Sequence, residues 1–224
     1  MRGTWDALAG ADSHVYVGDP ARGGGELESL FGRLGADPRG GVCLEVGCGP
    51  GRMTAGLAER FDRVLALDVS PAMIERARAA VPAPNVEFRA VAGESLDGVA
   101  DASVDVLVCY LVLQHLPRRA LVERYVGEFG RVLARDGEAF VQLPVLDPGL
   151  RPRAWRSLRT VTVPLVYRAR PRPDRAPALR GVRLSERELA RALGRAGLDV
   201  RARDEGPDAP YRYSRDVFLR LARS

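Results

Sequence analysis

The chain contains no lysine, and isoleucine and asparagine each occur once, as Ile74 and Asn85. All 34 basic residues are therefore arginine, and against 29 acidic residues they give a formal net charge of +5. The joint shortage of lysine, isoleucine and asparagine is typical of a GC-rich coding sequence. We therefore attribute much of the arginine content to codon bias, and the basic charge alone does not indicate a nucleic-acid-binding protein.

Long apolar runs are also missing. No run reaches the roughly 18–20 residues that span a bilayer, and the first residues include Asp6 and Asp12, unlike a secretory signal peptide. We expect a soluble cytoplasmic protein of one domain, residues 1–224, able to bury a sizeable core. The three cysteines have no metal-ligand spacing. Cys43 and Cys109 fall in predicted strands, and we interpret them as small buried apolar residues.

The most informative stretch reads LEVGCGPGRMT. Apolar residues predict a strand over 42–47, and a helix is predicted over 52–60. Between them, Gly47, Gly49 and Gly51 lack the β-carbons that would hold a ligand away from the backbone. A strand, a glycine-rich turn and a helix N-terminus in this order predict a site for a nucleoside-containing cofactor.

Two cofactor classes use such a turn. The dinucleotide pattern Gly-x-Gly-x-x-Gly would place its third glycine at position 52, where this chain has Arg52. Glu45 lies two residues before the first glycine, where it would repel a pyrophosphate but suits a cationic amino-acid tail. The run from Glu45 to Arg52 resembles motif I of the class I S-adenosylmethionine (SAM) dependent methyltransferases. A nicotinamide oxidoreductase is the weaker alternative.

Apolar strands alternate with amphipathic helices after this turn, which predicts a doubly wound α/β sheet with helices on both faces. Ser70 before Pro71, and the spacing of Ser185 and Glu188, predict two helix starts. The resemblance implies a Rossmann-like sheet of seven strands in the order 3-2-1-4-5-7-6, with the last strand antiparallel. The predicted strands are 42–47, 63–68, 86–91, 104–109, 138–143, 198–203 and 213–221, and the predicted helices are 26–36, 52–60, 71–80, 117–134 and 186–196.

Two segments lie outside this alternation. Residues 1–25 end in three consecutive glycines, a predicted hinge, and residues 145–183 are rich in arginine and proline. Ligands of open α/β sheets bind beyond the carboxyl ends of the strands, and we interpret both segments as lids over that edge. A solvated loop is the alternative for the second segment. The cofactor-binding core is then 26–143, and 184–224 form a C-terminal helix and strand hairpin.

The resemblance implies SAM as cofactor, S-adenosylhomocysteine as product, and a set of contacts. Glu45 would bind the amino end of SAM, and Asp68 its ribose hydroxyls. Gly93 and Glu94 would contact the adenine. Ala92 replaces the usual acidic residue beside them, and the loss of one hydrogen bond would weaken binding about tenfold. The implied cofactor-binding residues are Glu45, Gly47, Cys48, Gly49, Gly51, Asp68, Val69, Met73, Gly93, Glu94, Tyr110 and Tyr16.

The predicted fourth strand is followed by YLVLQHLP, residues 110–117, which resembles the family's segment at this place. It lacks the Asn/Asp-Pro-Pro-aromatic run of nucleobase amino-methyltransferases and the carboxylates that hold magnesium in catechol-type enzymes, so we predict no metal. The two histidines, His115 and His14, are the candidate bases for an acceptor that starts protonated. The candidate substrate contacts are Tyr16, Trp5, Trp155 and Arg156.

These observations favour a metal-independent SAM-dependent methyltransferase that transfers a methyl group to oxygen or nitrogen of a small molecule by in-line displacement. The arginines of 151–175 suggest an anionic acceptor. One alternative is an RNA-modifying or RNA-binding methyltransferase that uses the same tract and binds with a steep salt dependence. Another is a non-catalytic methyltransferase-like partner protein, suggested by Ala92. The sequence predicts that the chain has no membrane span. It gives no indication of the oligomeric state.

Overall fold

The computed structural model describes residues 5–6, 23–152, 154–158, 181–208 and 213–224. Its sheet runs in the order β3-β2-β1-β4-β5-β8-β7, and β6 pairs with the end of β5. Strand β8 is antiparallel to both of its neighbours, and the remaining pairs are parallel. The strands are β1 Val42–Val46, β2 Arg63–Asp68, β3 Val86–Ala90, β4 Val104–Cys109, β5 Leu133–Leu146, β6 Leu184–Ser185, β7 Leu198–Asp208 and β8 Ser214–Arg223.

Helices cover both faces of this sheet. They are α1 Gly23–Arg33, α2 Thr54–Ala58, α3 Pro71–Ala80, α4 Arg119–Val132 and α5 Glu186–Arg195. A 3₁₀ turn, Leu113–His115, follows β4, and 150–152 and 154–158 are also helical. Within the described ranges, no helix is long and apolar enough to cross a bilayer.

Neighbouring residues of each inner strand enter separate cores on the two faces of the sheet. Cys43 and Val106 belong to a core shared with α1, α2 and α3. Leu44 and Leu107 belong to the opposite core, shared with α4 and α5. Because side chains alternate along a strand, a strand buried on both faces reads as a continuous apolar run. The two cores together fix the sheet between two helical layers.

The predicted doubly wound sheet is confirmed. The observed order equals the predicted 3-2-1-4-5-7-6, since the two-residue β6 only renumbers the final hairpin. The hydroxyl of Ser70 accepts the N–H of Met73 at the start of α3, and Ser185 and Glu188 form the predicted capping box. Cys43 and Cys109 are buried and free, as expected, and Cys48 is buried and free as well.

Several predicted boundaries were wrong. The helix predicted over 117–134 begins at Arg119, and β5 follows it directly at Leu133 without a loop. The strand predicted over 138–143 therefore begins five residues earlier, at Leu133. Several residues at its start are polar, and polar residues do not predict a buried strand. The predicted hinge at 23–25 is the first turn of α1.

Gly23 has a steric role in this turn, since a β-carbon there would lie 1.7 Å from the carbonyl oxygen of Arg52. A β-carbon on Gly24 would meet nothing within 4 Å. We predict that Gly24→Ala stabilises the protein by about 0.5–1 kcal/mol, the ordinary gain of alanine over glycine in a helix. Gly23→Ala should instead destabilise it by about 1–3 kcal/mol, because the backbone must shift. Urea denaturation of both variants tests the close approach, and equal effects would contradict it.

Candidate functional site

The glycine loop between β1 and α2 lies at the carboxyl edge of the sheet. Gly47 and Gly51 have φ angles of 75° and 89°, which residues with a β-carbon rarely adopt. A β-carbon on Gly47 would also lie 2.4 Å from Cγ2 of Val112, just after β4. The loop is therefore pressed against the end of β4 in a shape that requires glycine.

The N–H groups of this loop are used within the protein. Gly47 and Cys48 both donate to the carbonyl of Leu67, at 2.7 and 2.9 Å. The following helix α2 begins at Thr54 and contains five residues, not the nine predicted from position 52. The predicted start of this helix at position 52 was therefore two residues too early. The side chain of Cys48 is buried in the core, where its thiol lies 3.6 Å from the carbonyl oxygen of Gly49.

Asp68, at the end of β2, ties the loop to the next helix. Its Oδ2 accepts the N–H of Gly49 at 2.9 Å, and its Oδ1 accepts the N–H of Ser70 at 2.8 Å. Burial raises the pKa of Asp68, and these N–H groups oppose that shift. A carboxylate has about four acceptor positions. Asp68 can therefore hold the loop and still accept hydrogen bonds from a ligand.

Glu45 lies below the loop on β1, with 4% of its surface exposed. Thr54, at the start of α2, donates its hydroxyl to Oε2 of Glu45 at 2.6 Å. Burial raises the pKa of Glu45 to about 7, with a smaller contribution from the charge of Asp68. The pKa of this carboxyl therefore lies near neutral pH, and a nearby cation would favour its ionised form. No pattern in the sequence indicates Thr54 as a hydrogen-bond donor to Glu45.

The ends of β2 and β3 meet where the resemblance implies an adenine site. Gly93 has a φ of 83°, and a β-carbon there would lie 2.8 Å from Cγ2 of Val69. Met73 is buried beside them in α3. Glu94, by contrast, lies at the surface with its carboxylate 3.8 Å from Arg124 of α4. The structure thus brings Val69 and Gly93 together and turns Glu94 outward.

Trp5 and Asp6 lie across this edge of the sheet. Trp5 packs against Met73 and meets the ring of His115 edge-on, with the ring centroids 5.2 Å apart. Asp6 accepts a hydrogen bond from the hydroxyl of Ser70 at 2.6 Å. Residues 5–6 therefore contact both the adenine side and the β4 side of the predicted site. His14 and Tyr16 lie outside the described residues.

Tyr110 directly follows β4 and packs against the core that includes α1. The Arg52 guanidinium lies over its ring, 6.0 Å from the centroid, and pairs with Glu26 of α1. Burial raises the pKa of Tyr110, and the charge of Arg52 opposes the shift. This cluster links the glycine loop, α1 and the end of β4.

A buried polar group that the sequence analysis missed follows Tyr110. Leu111 has a φ of 59°, and its N–H donates to Oε1 of Gln142 at 3.1 Å. Gln142, 1% exposed on β5, donates through Nε2 to Oδ1 of Asp216 on β8 at 2.8 Å. The available signal was one polar residue inside the apolar run of β5.

Arginines on the α5 side are paired with protein groups. Arg183, 6% exposed, donates to the carbonyls of Gly181 at 2.6 Å and Gln114 at 3.4 Å. Arg156, a predicted substrate contact, pairs with Glu188 at 2.8 Å. Trp155 meets Tyr213 edge-on at 5.8 Å. Apart from Arg151 and Arg156, the arginines of the 151–175 tract lie outside the described residues.

The residues that surround this edge match a known domain: residues 44–141 fit the family model described as a methyltransferase domain. Residues 44–141 therefore form a methyltransferase domain of the kind that the run from Glu45 to Arg52 resembles. The nicotinamide oxidoreductase alternative is thereby removed. In the part of the chain that the structure describes, no three His, Cys, Asp or Glu side chains are grouped so that they could hold a metal ion.

Two curated relatives are similar to the methyltransferase domain. Trans-aconitate 2-methyltransferase of Methylobacterium radiotolerans is 36% identical over 106 residues, which are 46% of this chain and 38% of that protein. A ubiquinone biosynthesis O-methyltransferase of Xanthomonas axonopodis pv. citri is 30% identical over 115 residues, 50% of this chain and 45% of that protein. The chain therefore spans less than half the length of either relative.

The fold of the chain matches solved structures over almost its whole length. A Haloferax volcanii methyltransferase, solved in complex with the Trm112 methyltransferase activator, superimposes with a TM-score of 0.69 at 18% identity. The match covers 99% of this chain and 96% of that one. At this identity the likeness concerns the fold.

The raised pKa of Glu45 predicts a pH-dependent stability. Its folded pKa of about 7 exceeds the ordinary glutamate pKa of 4.5, so the folded state binds a proton more tightly than the unfolded state does. Stability should therefore fall as the pH rises through this window and stay low above it. Glu45→Gln keeps an acceptor for Thr54 but cannot titrate. We expect its effect on the free energy of unfolding to be more favourable at pH 8 than at pH 5, by on the order of 2 kcal/mol. Urea denaturation at both pH values measures this difference, and equal effects would show that Glu45 keeps an ordinary pKa.

Proposed function

We propose that this methyltransferase binds SAM at the ends of β1, β2 and β4 and transfers its methyl group to oxygen or nitrogen of a small-molecule acceptor. The observation that supports this most strongly is the pair of buried carboxylates, Glu45 and Asp68, on either side of a loop that only glycine can form. SAM carries both a cationic amino-acid tail and a ribose diol, so it suits two such carboxylates.

The proposed contacts follow the geometry of the edge. Asp68 would accept the ribose hydroxyls with the acceptor positions left by Gly49 and Ser70. Glu45 would attract the amino group of the tail, and Val69 and Gly93 would border the adenine. Binding a cation near Glu45 should favour its ionised form, so we expect proton release on binding near neutral pH.

Bound SAM would supply a methyl group already activated by its sulfonium, so the protein's task is alignment and exclusion of water. Trp5 lies over the edge and contacts both His115 and Met73, which suits a role in covering the bound reactants. The printed names of the two relatives refer to trans-aconitate and to ubiquinone biosynthesis, which favours a small-molecule acceptor for this chain as well. We propose a reaction without a metal.

The two alternatives make different predictions. An RNA-binding role for the 151–175 tract has less support, because the described Arg156 is paired with Glu188. A non-catalytic role, suggested by Ala92, requires that SAM not bind. We expect neither steep salt-dependent RNA binding nor loss of SAM affinity.

A substitution combined with a ligand analogue tests the ribose assignment. The unmodified protein should bind S-adenosylhomocysteine about 10–100-fold more tightly than its 2′,3′-dideoxy analogue, because hydrogen bonds to a charged group contribute about 1.5–3 kcal/mol. Asp68→Ala should weaken S-adenosylhomocysteine binding and bring the two dissociation constants close together. Isothermal calorimetry with both ligands measures the ratio.

Asp62→Ala is the matched control for this experiment. Asp62 also holds a backbone N–H, that of Gly41 at 2.7 Å, but it precedes β2 at the opposite edge of the sheet. Its removal should leave the ratio of the two dissociation constants unchanged. A ratio in Asp68→Ala that equals the ratio of the unmodified protein would overturn the ribose assignment.

A further inference from the structure

Asp216 is a carboxylate at the acceptor side of the sheet that the proposed cofactor contacts do not use. It lies near the start of β8, opposite Pro144 near the end of β5. Because β8 runs antiparallel to β5, this places Asp216 at the carboxyl edge, where ligands of open α/β sheets bind. Gln142 joins this side chain to the backbone of Leu111, just after β4. Burial raises the pKa of Tyr110, and the charge of Asp216 adds to that shift.

One oxygen of Asp216 is fixed and the other is available. Oδ1 accepts the amide N–H of Gln142 at 2.8 Å. Within the described residues, Oδ2 has no hydrogen-bond donor. The other end of the Gln142 amide holds the N–H of Leu111 in a left-handed conformation that costs a non-glycine residue energy. Gln142 thus couples the Asp216 carboxylate to the strained turn that follows β4.

The charges around Asp216 indicate what kind of ligand it suits. The charge of Arg183 lowers the pKa of Asp216, and this guanidinium already donates to the carbonyls of Gly181 and Gln114. Tyr110 faces it from β4, and burial raises the pKa of Asp216 despite the opposing effects of Gln142 and Arg183. A half-buried carboxylate with a free oxygen suits a ligand that donates a hydrogen bond and disfavours an anionic one.

We propose that Asp216 accepts the proton of the hydroxyl or amine that is methylated, and that Gln142 is the positioning residue that aims it. This inference rests on the proposed function. As the acceptor's oxygen or nitrogen bonds to the methyl carbon, the carbon–sulfur bond breaks and its electron pair stays on sulfur. The proton of the acceptor passes to Oδ2 of Asp216, so charge and atoms balance. The acceptor class is therefore hydroxyl or amine compounds, in place of the anionic acceptor suggested by the arginine content.

Scaffold-matched acceptors test the class. The probes are 4-methylphenol, 4-methylaniline and 4-methylbenzoic acid, with 1-hexanol, hexylamine and hexanoic acid as the aliphatic set, and the readout is transfer of a tritium-labelled methyl group from SAM. We expect methylation among the hydroxyl or amine members and none of the carboxylic acids. Methylation of the acids, or of no hydroxyl or amine member, overturns the inference.

Variants of Asp216 test whether this residue accepts the proton. Asp216→Asn should lower turnover at least 100-fold, the usual range for loss of a general base, and leave the dissociation constant of S-adenosylhomocysteine within about twofold. Asp204→Asn is the control, because Asp204 lies on the exposed hairpin strand β7, where it pairs with Arg33. Undiminished turnover in Asp216→Asn would contradict the assignment.

The pH profile separates a proton acceptor from a structural residue. The acidic limb of kcat/KM should be present in the unmodified protein and absent from the residual activity of Asp216→Asn. Gln142→Met, which removes both amide contacts, should shift that limb, and Asp216→Glu should restore part of the turnover. An identical profile in all variants overturns the inference. If S-adenosylhomocysteine does not bind the unmodified protein, the proposed function fails; if it binds and these variants behave otherwise, only this inference fails.

Discussion

The structure depends on the attachment of the glycine loop to the ends of two neighbouring strands. The loop passes so close to Val112 that a β-carbon at Gly47 would overlap it, and its N–H groups donate to Leu67 and Asp68. Because those bonds are internal, the loop keeps its shape without a ligand. The two carboxylates beside it, Glu45 and Asp68, can therefore meet a cofactor in a prepared arrangement, which lowers the entropic cost of binding.

The doubly wound sheet explains why chemistry collects at one edge. Parallel strands β1, β2, β4 and β5 all end there, and antiparallel β8 begins there. Residues far apart in the chain, such as Leu111, Gln142 and Asp216, consequently form one hydrogen-bonded group. The two apolar cores hold the strands in register, so the positions of these side chains follow from packing on both faces. The proposed cofactor and acceptor sides therefore lie at one edge of the same sheet, where Trp5 contacts His115.

Local sequence signals predicted the strands and helices well, and the cofactor contacts at this edge stay predictions. The glycines, Asp68 and the Ser70 and Ser185 caps are recognisable because each is required by geometry within a few residues. Local patterns could not predict where individual groups point. The N–H groups of Gly47 and Cys48 donate to the carbonyl of Leu67 within the protein, and the carboxylate of Glu94 lies near Arg124. The Gln142–Asp216 pair joins residues 74 positions apart and depends on the antiparallel return of β8, which no local pattern contains. The arginine-rich composition also gave no sign of which arginines are paired within the protein. Arg156, predicted as a substrate contact, forms an ion pair with Glu188.

The most direct test of the central claim is a calorimetric titration of the purified protein with S-adenosylhomocysteine, with NAD as the control ligand and a check for cofactor retained through purification. The account predicts binding in the micromolar range for S-adenosylhomocysteine, about 8 kcal/mol of binding free energy, and none for NAD. Binding of NAD, or of neither ligand to cofactor-free protein, would contradict the account.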